Sequence, residues 1–574
     1  MKRRDLLGAG AAMAAAAALR AAPAATVAPS WARPGMPGWP SAAEWDALSR
    51  AVGGRLSPVT LPDFADPAVR ELLADPFYIG GQPALTQSSG WLDAWRSVPS
   101  AYVVAAQTAA DVAAALDFAR THRLRLIVKG GGHSFFGGST APDSLLIWTR
   151  PINAIAVHDA FAPAGSSLTP VPAVSLGAGC IWLHAYQTVT AGTGRYVQGG
   201  SCTTVGVAGL VLGGGFNSFS KAYGTAAASL LEAEIVTADG KTRIVNQAQE
   251  PDLFWALKGG GGGTFGVVTR LTLATHPLPE TFGVVRLTLQ ARSDEAYRRL
   301  LARFVDFYAT SLFNPHWGEQ ALARPDNLLQ ILMLFQGLTQ DEARSSWQSL
   351  IDFANSADYE AQNALMAAAL PARDFWDADF HRRYASAAVL FDSQPGASST
   401  DFWWRDDARQ VGAFWHVLTS VWLPASLLEP QNQSRLVDAW FAASRHWEVT
   451  LAFNKGLAGA PAAALDAARN IAMNPDVLDA FALAIFGDHG PSLYTGAAPD
   501  PVAAHARAAR VRAAMTALRA AAPETGAYVN ECDYFQEDWQ KAFWGANYPR
   551  LLRVKRLYDP DGLFTVHHGV GSEA

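Results

Sequence analysis

Short apolar runs alternate with amphipathic stretches in the first third of the chain. Residues Tyr102–Ala105, 124–129 and 145–148 are apolar runs bounded by polar or turn residues, which predicts three β-strands. Residues 111–120 keep a helical spacing of apolar positions, and Thr108 with Asp111 predicts a capped start for that helix. This order of strand and helix is typical of α/β or α+β domains.

A second run of the same kind follows. Residues 174–176 predict a strand and residues 181–190 a helix. Residues 232–237 and 241–245 predict a hairpin, because the Asp239-Gly240 turn signal lies between them. A short helix at Pro251–Leu257 precedes the glycines 259–263, and a strand is predicted at 267–273.

The pattern changes after Pro277 and Pro279. An alternating strand at 282–289 is followed by further strand and helix patterns, which predict a domain with an antiparallel sheet backed by helices. Near the C-terminus we expect a long helix at 503–522, a strand at 528–534 and a helix at 548–557. The fold class predicted from the whole pattern is α+β.

The length and charge of the chain limit the number of its domains and the type of its partners. Its 574 residues are too many for one hydrophobic core, since single domains hold roughly 100–200 residues. Residues 31–100 are rich in Pro, Gly and Trp, and we expect an irregular segment there. The net charge is -6 and no Lys/Arg run follows the N-terminus, so nucleic acid is not an expected partner.

The N-terminal 30 residues have the order of an export signal. Basic residues come first, an Ala/Gly-rich apolar run follows, and small residues end the segment. Arg3-Arg4 with Leu6-Leu7 suits the twin-arginine export machinery. A membrane anchor is the alternative, but the run is short of the ~20 apolar residues that a span needs. We therefore expect no stable membrane span and an exported protein, periplasmic or secreted.

Three cysteines are present, and an odd number leaves at least one thiol outside any intramolecular disulfide. Cys180 and Cys532 are candidates for a pair, which the sequence leaves open. Cys202 lies in a glycine loop and needs a separate explanation. We find no spacing typical of a metal site, and His567-His568 is not such a spacing.

Four glycine runs lie within one predicted domain, at 130–132, 199–200, 213–215 and 259–263. The phosphate-loop pattern fails at Gly240-Lys241-Thr242, because residue 235 is Ile. Gly261-x-Gly263-x-x-Gly266 fits the dinucleotide fingerprint by letter, but a helix precedes it and a strand follows, which is the wrong order. Glycine loops also bind anions through successive backbone N–H groups, so the runs favour a large cofactor that contains phosphate.

Two of these loops resemble a known family. Residues 128–134 (VKGGGHS) and 200–209 (GSCTTVGVAG) resemble the flavin-attachment loops of berberine-bridge-enzyme-like oxidases, in the superfamily of vanillyl-alcohol oxidase and p-cresol methylhydroxylase. Residues 252–263, 528–530 (YVN) and 559–564 (DPDGLF) are similar to later segments of that family. The resemblance covers residues 98–280 and 525–570. Between them the chain is similar to the family only in length and texture.

The resemblance implies an FAD-dependent oxidase with a bipartite FAD domain of two α/β subdomains. After the export signal at 1–30, it implies the FAD domain at 31–279, a substrate domain at 280–512 and a C-terminal segment at 513–574 that returns to the FAD domain. His133 matches the histidine that bonds the flavin 8α-methyl carbon, and Cys202 matches the cysteine that bonds C6. The remaining candidate cofactor-binding residues are Lys129, Gly130, Gly131, Gly132, Ser134, Gly200, Ser201, Thr203, Val205, Gly206, Gly209, Gly266, Val267 and Asn530.

Flavin oxidation of a C–OH carbon needs a base for the hydroxyl proton. Tyr528 is the candidate, because related carbohydrate oxidases use a Tyr activated by a carboxylate. A strand at 528–534 would place Tyr528 and Asn530 on one face. An ordinary core tyrosine is the alternative. Asn454 and Lys455 follow an apolar strand and either face the flavin or simply end that strand.

The expected partners are a small alcohol, sugar or related substrate and O2, which becomes H2O2. A flavin dehydrogenase with another electron acceptor and a non-catalytic flavoprotein remain alternatives.

Overall fold

The computed structural model describes residues 31–573, so the predicted export signal lies outside the described residues. The predicted α+β class is confirmed. The elements before residue 280 are α1 Ala42–Ala51, β1 Leu56–Pro58, α2 Pro67–Leu72, α3 Pro76–Gly81, β2 Ser88–Trp91, β3 Trp95–Arg96, β4 Tyr102–Ala105, α4 Ala109–Thr121, β5 Arg125–Lys129, β6 Ser144–Trp148, β7 Ile155–Phe161, β8 Val171–Gly177, α5 Trp182–Tyr186, β9 Arg195–Val197, α6 Val207–Leu212, α7 Ser220–Tyr223, β10 Leu230–Val236, β11 Thr242–Asn246, α8 Pro251–Leu257 and β12 Val267–Pro277.

The later elements complete the fold. They are β13 Thr281–Ala291, α9 Asp294–Phe307, β14 Trp317–Ala323, β15 Leu328–Gln336, α10 Gln340–Ser346, α11 Gln348–Ala354, β16 Tyr359–Ala361, β17 Met366–Pro371, α12 Ala378–Tyr384, β18 Val389–Phe391, β19 Phe402–Trp404, β20 Ala413–Pro424, α13 Gln433–Ser444, β21 Val449–Ala452, α14 Ala462–Arg469, α15 Asp476–Asp479, β22 Ala480–Gly490, α16 Pro501–Arg519, α17 Trp539–Trp544 and α18 Tyr548–Tyr558.

Two sheets form the first half. In the order β1-β4-β6-β5, the last three strands are parallel and β1 runs antiparallel along one edge. The second sheet is antiparallel, in the order β11-β10-β12-β8-β7, with β9 also paired to β12. Helix α4 begins at the predicted capping box, in which Thr108 and Asp111 each accept a hydrogen bond from the other's backbone N–H.

A ten-stranded sheet forms the second half, in the order β16-β13-β15-β14-β21-β22-β20-β2-β3, with β17 also paired to β13. Helices α9, α13 and α16 share one hydrophobic core with this sheet. Leu300, Phe304 and Trp440 are buried there, and each such side chain contributes roughly 1.5–3 kcal/mol. Because β2 pairs with β20, the sheet includes strands from both sides of the division predicted at residue 279.

The expectation of an irregular segment at 31–100 is wrong. It holds α1, α2 and α3 as well as β1 to β3. Helices α2 and α3 begin at Asp66-Pro67 and Asp75-Pro76, where the aspartate accepts a hydrogen bond from an N–H of the first turn. Proline at the first helical position has no N–H to satisfy, so these prolines begin helices rather than prevent them.

The predicted strand at 528–534 is also wrong. The backbone turns there, with the Glu531 N–H donating to the Tyr528 carbonyl at 2.9 Å. Asp533 favours a turn because its carboxylate accepts the Phe535 N–H at 3.1 Å, and asparagine, present here at residue 530, is common in turns. The alternation of apolar and polar residues therefore arises in a compact loop.

The described part of the chain gives two further results. Between residues 31 and 573, no helix combines the length and the apolar composition that a membrane crossing requires. Cys180, Cys202 and Cys532 are all free thiols, so the candidate pair of Cys180 with Cys532 is not formed.

Candidate active site

Two glycine loops touch each other at the centre of the site. One follows β5 and carries His133, and the other precedes α6 and carries Cys202. A Cβ atom on Gly131 would lie 2.6 Å from the Gly206 nitrogen, and one on Gly206 would lie 2.8 Å from the Gly131 nitrogen. Because no carbon tolerates such distances, only glycine at both positions lets the loops approach this closely.

Thr204 connects the two reactive side chains. Its Oγ1 lies 3.1 Å from Nε2 of His133 and 3.9 Å from Sγ of Cys202. An Nε2–H that donates to Thr204 leaves the Nδ1 lone pair of His133 free. Thr204 was not among the predicted site residues, since a threonine in a loop carries no distinctive signal.

Burial sets the protonation of both groups. It lowers the pKa of His133 to about 4, so the imidazole is neutral near pH 7. It raises the pKa of the Cys202 thiol, and Asp407 raises that pKa further. The site therefore holds a neutral imidazole and a protonated thiol side by side.

Both loops line one large cavity. The empty space between its walls, including the open mouth, is about 2080 Å³. The predicted site residues on its wall are Gly130, Gly131, Gly132, His133, Ser134, Cys202, Val205, Gly206, Gly209, Gly266, Tyr528 and Asn530. The glycine run before β12 also reaches the wall, with α8 before it and a strand after it, as the sequence predicts.

Two other predicted residues lie behind the wall. The Lys129 Nζ donates to three backbone carbonyls, those of Gln82, Pro83 and Leu85. Val267 begins β12 inside the hydrophobic core. These side chains support the site but do not face the cavity.

Gly200, Ser201 and Thr203 also lie outside the cavity wall. The Gly200 carbonyl accepts the Tyr186 hydroxyl at 2.6 Å, and the Ser201 carbonyl accepts the Trp404 indole N–H at 2.9 Å. Thr203 is buried. These residues fix the backbone of the Cys202 loop, because their direct contacts are with protein.

The C-terminal segment closes another side of the cavity. The Tyr528 hydroxyl accepts hydrogen bonds from the Gly215 N–H and from the Asn530 amide, both at 3.1 Å. Burial and the charge of Glu531 raise the pKa of Tyr528. A neighbouring carboxylate thus makes this phenol harder to ionise, which weakens the predicted role of Tyr528 as a base.

An ion pair lies near Tyr528, and the sequence predicted only one of its two residues. Lys455 forms an ion pair with Glu531, whose carboxylate lines the cavity. The Asn454 amide lies 3.4 Å from Oε1 of Glu319, behind this pair. Lys455 and Asn454 were open candidates, whereas no sequence signal marked Glu531.

Asp407 is a further acidic residue on the wall. It lies in a 3₁₀ turn, Arg405–Gln410, directly after β19. Burial, with nearby Asp406 and Glu319, raises the pKa of Asp407 to about 6. Its Oδ2 atom is buried and has no hydrogen-bond partner among the described residues. Asp407 approaches Cys202 only through the tertiary fold.

The comparisons with known proteins agree with this site. Residues 99–246 match the family described as an FAD binding domain, and residues 527–571 match the family described as berberine and berberine like. A VAO-type flavoprotein oxidase from Thermothelomyces thermophilus is 31% identical over 503 residues, covering 82% of this chain and 76% of that protein. An uncharacterised FAD-linked oxidoreductase from Arthroderma benhamiae is 29% identical over 585 residues, covering 93% of each.

Solved structures show the same architecture. A VAO-type flavoprotein from Myceliophthora thermophila superposes with a TM-score of 0.76 and 26% identity, over 95% of this chain and 97% of that one. Glucooligosaccharide oxidase from Acremonium strictum superposes with a TM-score of 0.66 and 17% identity, over 92% and 99%. The second match shows a shared fold.

The fold and the glycine-lined cavity define a flavin-dependent oxidoreductase. The chain belongs to the VAO-type flavoprotein oxidases, with the berberine-like segment at its C-terminus, and is an FAD-dependent oxidase. The predicted family is confirmed. The residues present fit FAD, because three glycine-rich loops line the cavity and a Cβ on Gly209, one of the lining residues, would meet no protein atom within 4 Å.

Two glycine substitutions test, one each, the packing of the two loops and the position of the cofactor. We expect Gly206→Ala to lower the free energy of unfolding by about 1–3 kcal/mol, because the loops must move apart. Gly209→Ala lies in α6, where alanine stabilises by about 0.5–1 kcal/mol, but its methyl occupies cofactor space. Denaturant unfolding and the ratio of flavin to protein absorbance measure the two effects. Normal stability of Gly206→Ala would contradict the loop contact, and full flavin content of Gly209→Ala would contradict the cofactor position.

Proposed function

We propose that the enzyme holds FAD through two covalent bonds, from His133 to the 8α carbon and from Cys202 to C6. The carrying observation is that both side chains face one cavity and share Thr204 as a neighbour. Glucooligosaccharide oxidase from Acremonium strictum, which shares the fold, contains a 6-S-cysteinyl, 8α-N1-histidyl FAD. The free Nδ1 of His133 suits the same type of bond here.

We further propose that the enzyme oxidises the C–OH carbon of a small alcohol or sugar. Bound FAD supplies the hydride acceptor, N5 of the isoalloxazine, and passes the electrons to O2 to give H2O2. Ala208 and Gly209, beside the Cys202 loop, are small wall residues that leave room for O2. Peroxide formation with a substrate supports an oxidase, whereas turnover only with an added quinone indicates the alternative dehydrogenase.

In this proposal Tyr528 orients the substrate hydroxyl and Glu531 removes its proton. Two donors occupy the Tyr528 oxygen, so its own O–H remains to donate and orient the substrate. The Glu531 carboxylate, which forms an ion pair with Lys455, accepts the hydroxyl proton. This assignment replaces Tyr528 as the base because burial and Glu531 disfavour its phenolate.

The covalent bonds are tested by acid denaturation of the purified protein. We expect flavin to stay with the precipitate in the wild type, His133→Ala and Cys202→Ala, and to be lost from the double variant. Cys180→Ala is the matched control, because this thiol is buried away from the cavity wall and its loss leaves both bonds. Flavin that washes out of the wild type would refute covalent attachment.

The base is tested by comparing Glu531→Gln with Tyr528→Phe. We expect Glu531→Gln to lower kcat/KM by about 10²–10⁴-fold, as loss of a general base does. Tyr528→Phe removes the hydrogen bond to the substrate, worth about 1 kcal/mol, together with the two that the hydroxyl accepts, and we expect it to lower kcat/KM by about tenfold or less. Glu537→Gln, an exposed control, leaves the rate unchanged. Thermal melting of each variant checks that loss of the Lys455 pair has not unfolded the site. A larger loss in Tyr528→Phe than in Glu531→Gln would restore Tyr528 as the base.

We propose that residues 1–30 direct export through the twin-arginine route, which carries folded proteins with their cofactor. Cell fractionation of the full chain and of the variant with Arg3→Lys and Arg4→Lys tests this. Flavoprotein outside the cytoplasm only for the unchanged chain is the expected result. Equal distribution of the two chains would exclude the route.

A further inference from the structure

Attachment of Cys202 to a flavin requires that its thiol lose a proton. The thiolate is the nucleophilic form of cysteine. At this site burial raises the pKa of the thiol, and the hydrogen bond from Thr204 only partly offsets that rise. The proton must therefore pass to a nearby acceptor as the Sγ–carbon bond forms.

The loop around Asp407 is fixed against the Cys202 loop. The Trp404 indole donates to the Ser201 carbonyl at 2.9 Å, which joins the end of β19 to the residue before Cys202. Asp407 follows in the next turn and lines the same cavity as Cys202. Both side chains line this cavity, and the charge of Asp407 raises the pKa of the Cys202 thiol.

The Asp407 carboxyl group has capacity left for a proton. Its buried Oδ2 has no hydrogen-bond partner among residues 31–573, and such an atom costs about 1–3 kcal/mol. Burial raises the pKa of Asp407 to about 6, so near pH 7 it is mostly ionised and is a stronger base than an exposed aspartate. Neighbouring Asp406 is exposed and pairs with Arg286 instead.

We propose that Asp407 is the proton acceptor that activates Cys202 for attachment to C6 of the flavin. This inference rests on the proposed bicovalent attachment. The Sγ–H bond breaks and its proton passes to Asp407, while the Sγ–C6 bond forms. The hydrogen on C6 leaves as a proton, and the isoalloxazine takes the electron pair. Dioxygen, the oxidant of the proposed reaction, removes that pair and the two protons as H2O2, so atoms and electrons balance.

The experiment counts free thiols after denaturation. Wild type, Asp407→Asn, Asp407→Glu and Asp406→Asn are purified with flavin, unfolded in guanidinium chloride and treated with iodoacetamide. Intact mass then gives both the attached FAD and the number of alkylated cysteines. Since the chain has three free cysteines, a bond to Cys202 leaves two for alkylation.

We expect wild type to take two alkyl groups and Asp407→Asn to take three, with FAD still attached through His133. The FAD on His133 shows that the variant has folded around its cofactor. Loss of a positioned base slows attachment by about 10²–10⁴-fold. Asp407→Glu keeps a carboxylate and takes two groups, as does the control Asp406→Asn.

Each contrary outcome has a distinct meaning. Two alkyl groups in Asp407→Asn would overturn the role of Asp407 and leave the bicovalent attachment intact. Three alkyl groups in the wild type would overturn the bond to Cys202 itself, and the inference about Asp407 with it. Three in Asp406→Asn would show that the local turn, rather than the Asp407 carboxylate, controls attachment, which also overturns the inference.

Discussion

The backbone contact between Gly131 and Gly206 is the constraint on which the active site depends. It joins a loop from the parallel sheet to a loop beside the antiparallel sheet, at a distance that excludes any side chain. His133 lies two residues after Gly131, and Cys202 lies four before Gly206. Their shared neighbour Thr204 and their common cavity follow from this one approach of two main chains.

Buried lysines stabilise the backbone in three other parts of the fold. Lys129 donates to three backbone carbonyls before β2, and Lys221 donates to three others in the second half of the chain. Lys555 pairs with Asp559 and donates to the carbonyls of Thr264 and Phe564. Since buried carbonyls need donors, each lysine side chain satisfies several of them at once. Lys129 therefore stabilises the backbone before β2, although its place beside the glycines 130–132 predicted contact with the cofactor.

Burial also sets the protonation states of the side chains in the site. It keeps His133 neutral, Cys202 protonated and the Tyr528 phenol un-ionised, because each charged form loses hydration there. In the proposed chemistry, the groups that must lose a proton therefore depend on carboxylates of the same cavity. Those carboxylates, Glu531 and Asp407, come from the C-terminal segment and the second half of the chain, whereas the two glycine loops come from the first half.

The sequence alone determined the α+β class, most strands, the glycine loops that line the cavity and the family, because these depend on local periodicity and on short motifs. It misjudged residues 31–100 and 528–534, where Asp-Pro pairs begin helices and Asn530 favours a turn. It did not identify Thr204, Glu531 or Asp407 as site residues. Only the tertiary structure placed these residues on the cavity wall, since Asp407 and Cys202 lie far apart in the chain and are brought to one cavity by the hydrogen bond from Trp404 to the Cys202 loop. A side chain whose role comes from such a distant neighbour leaves no local pattern to read.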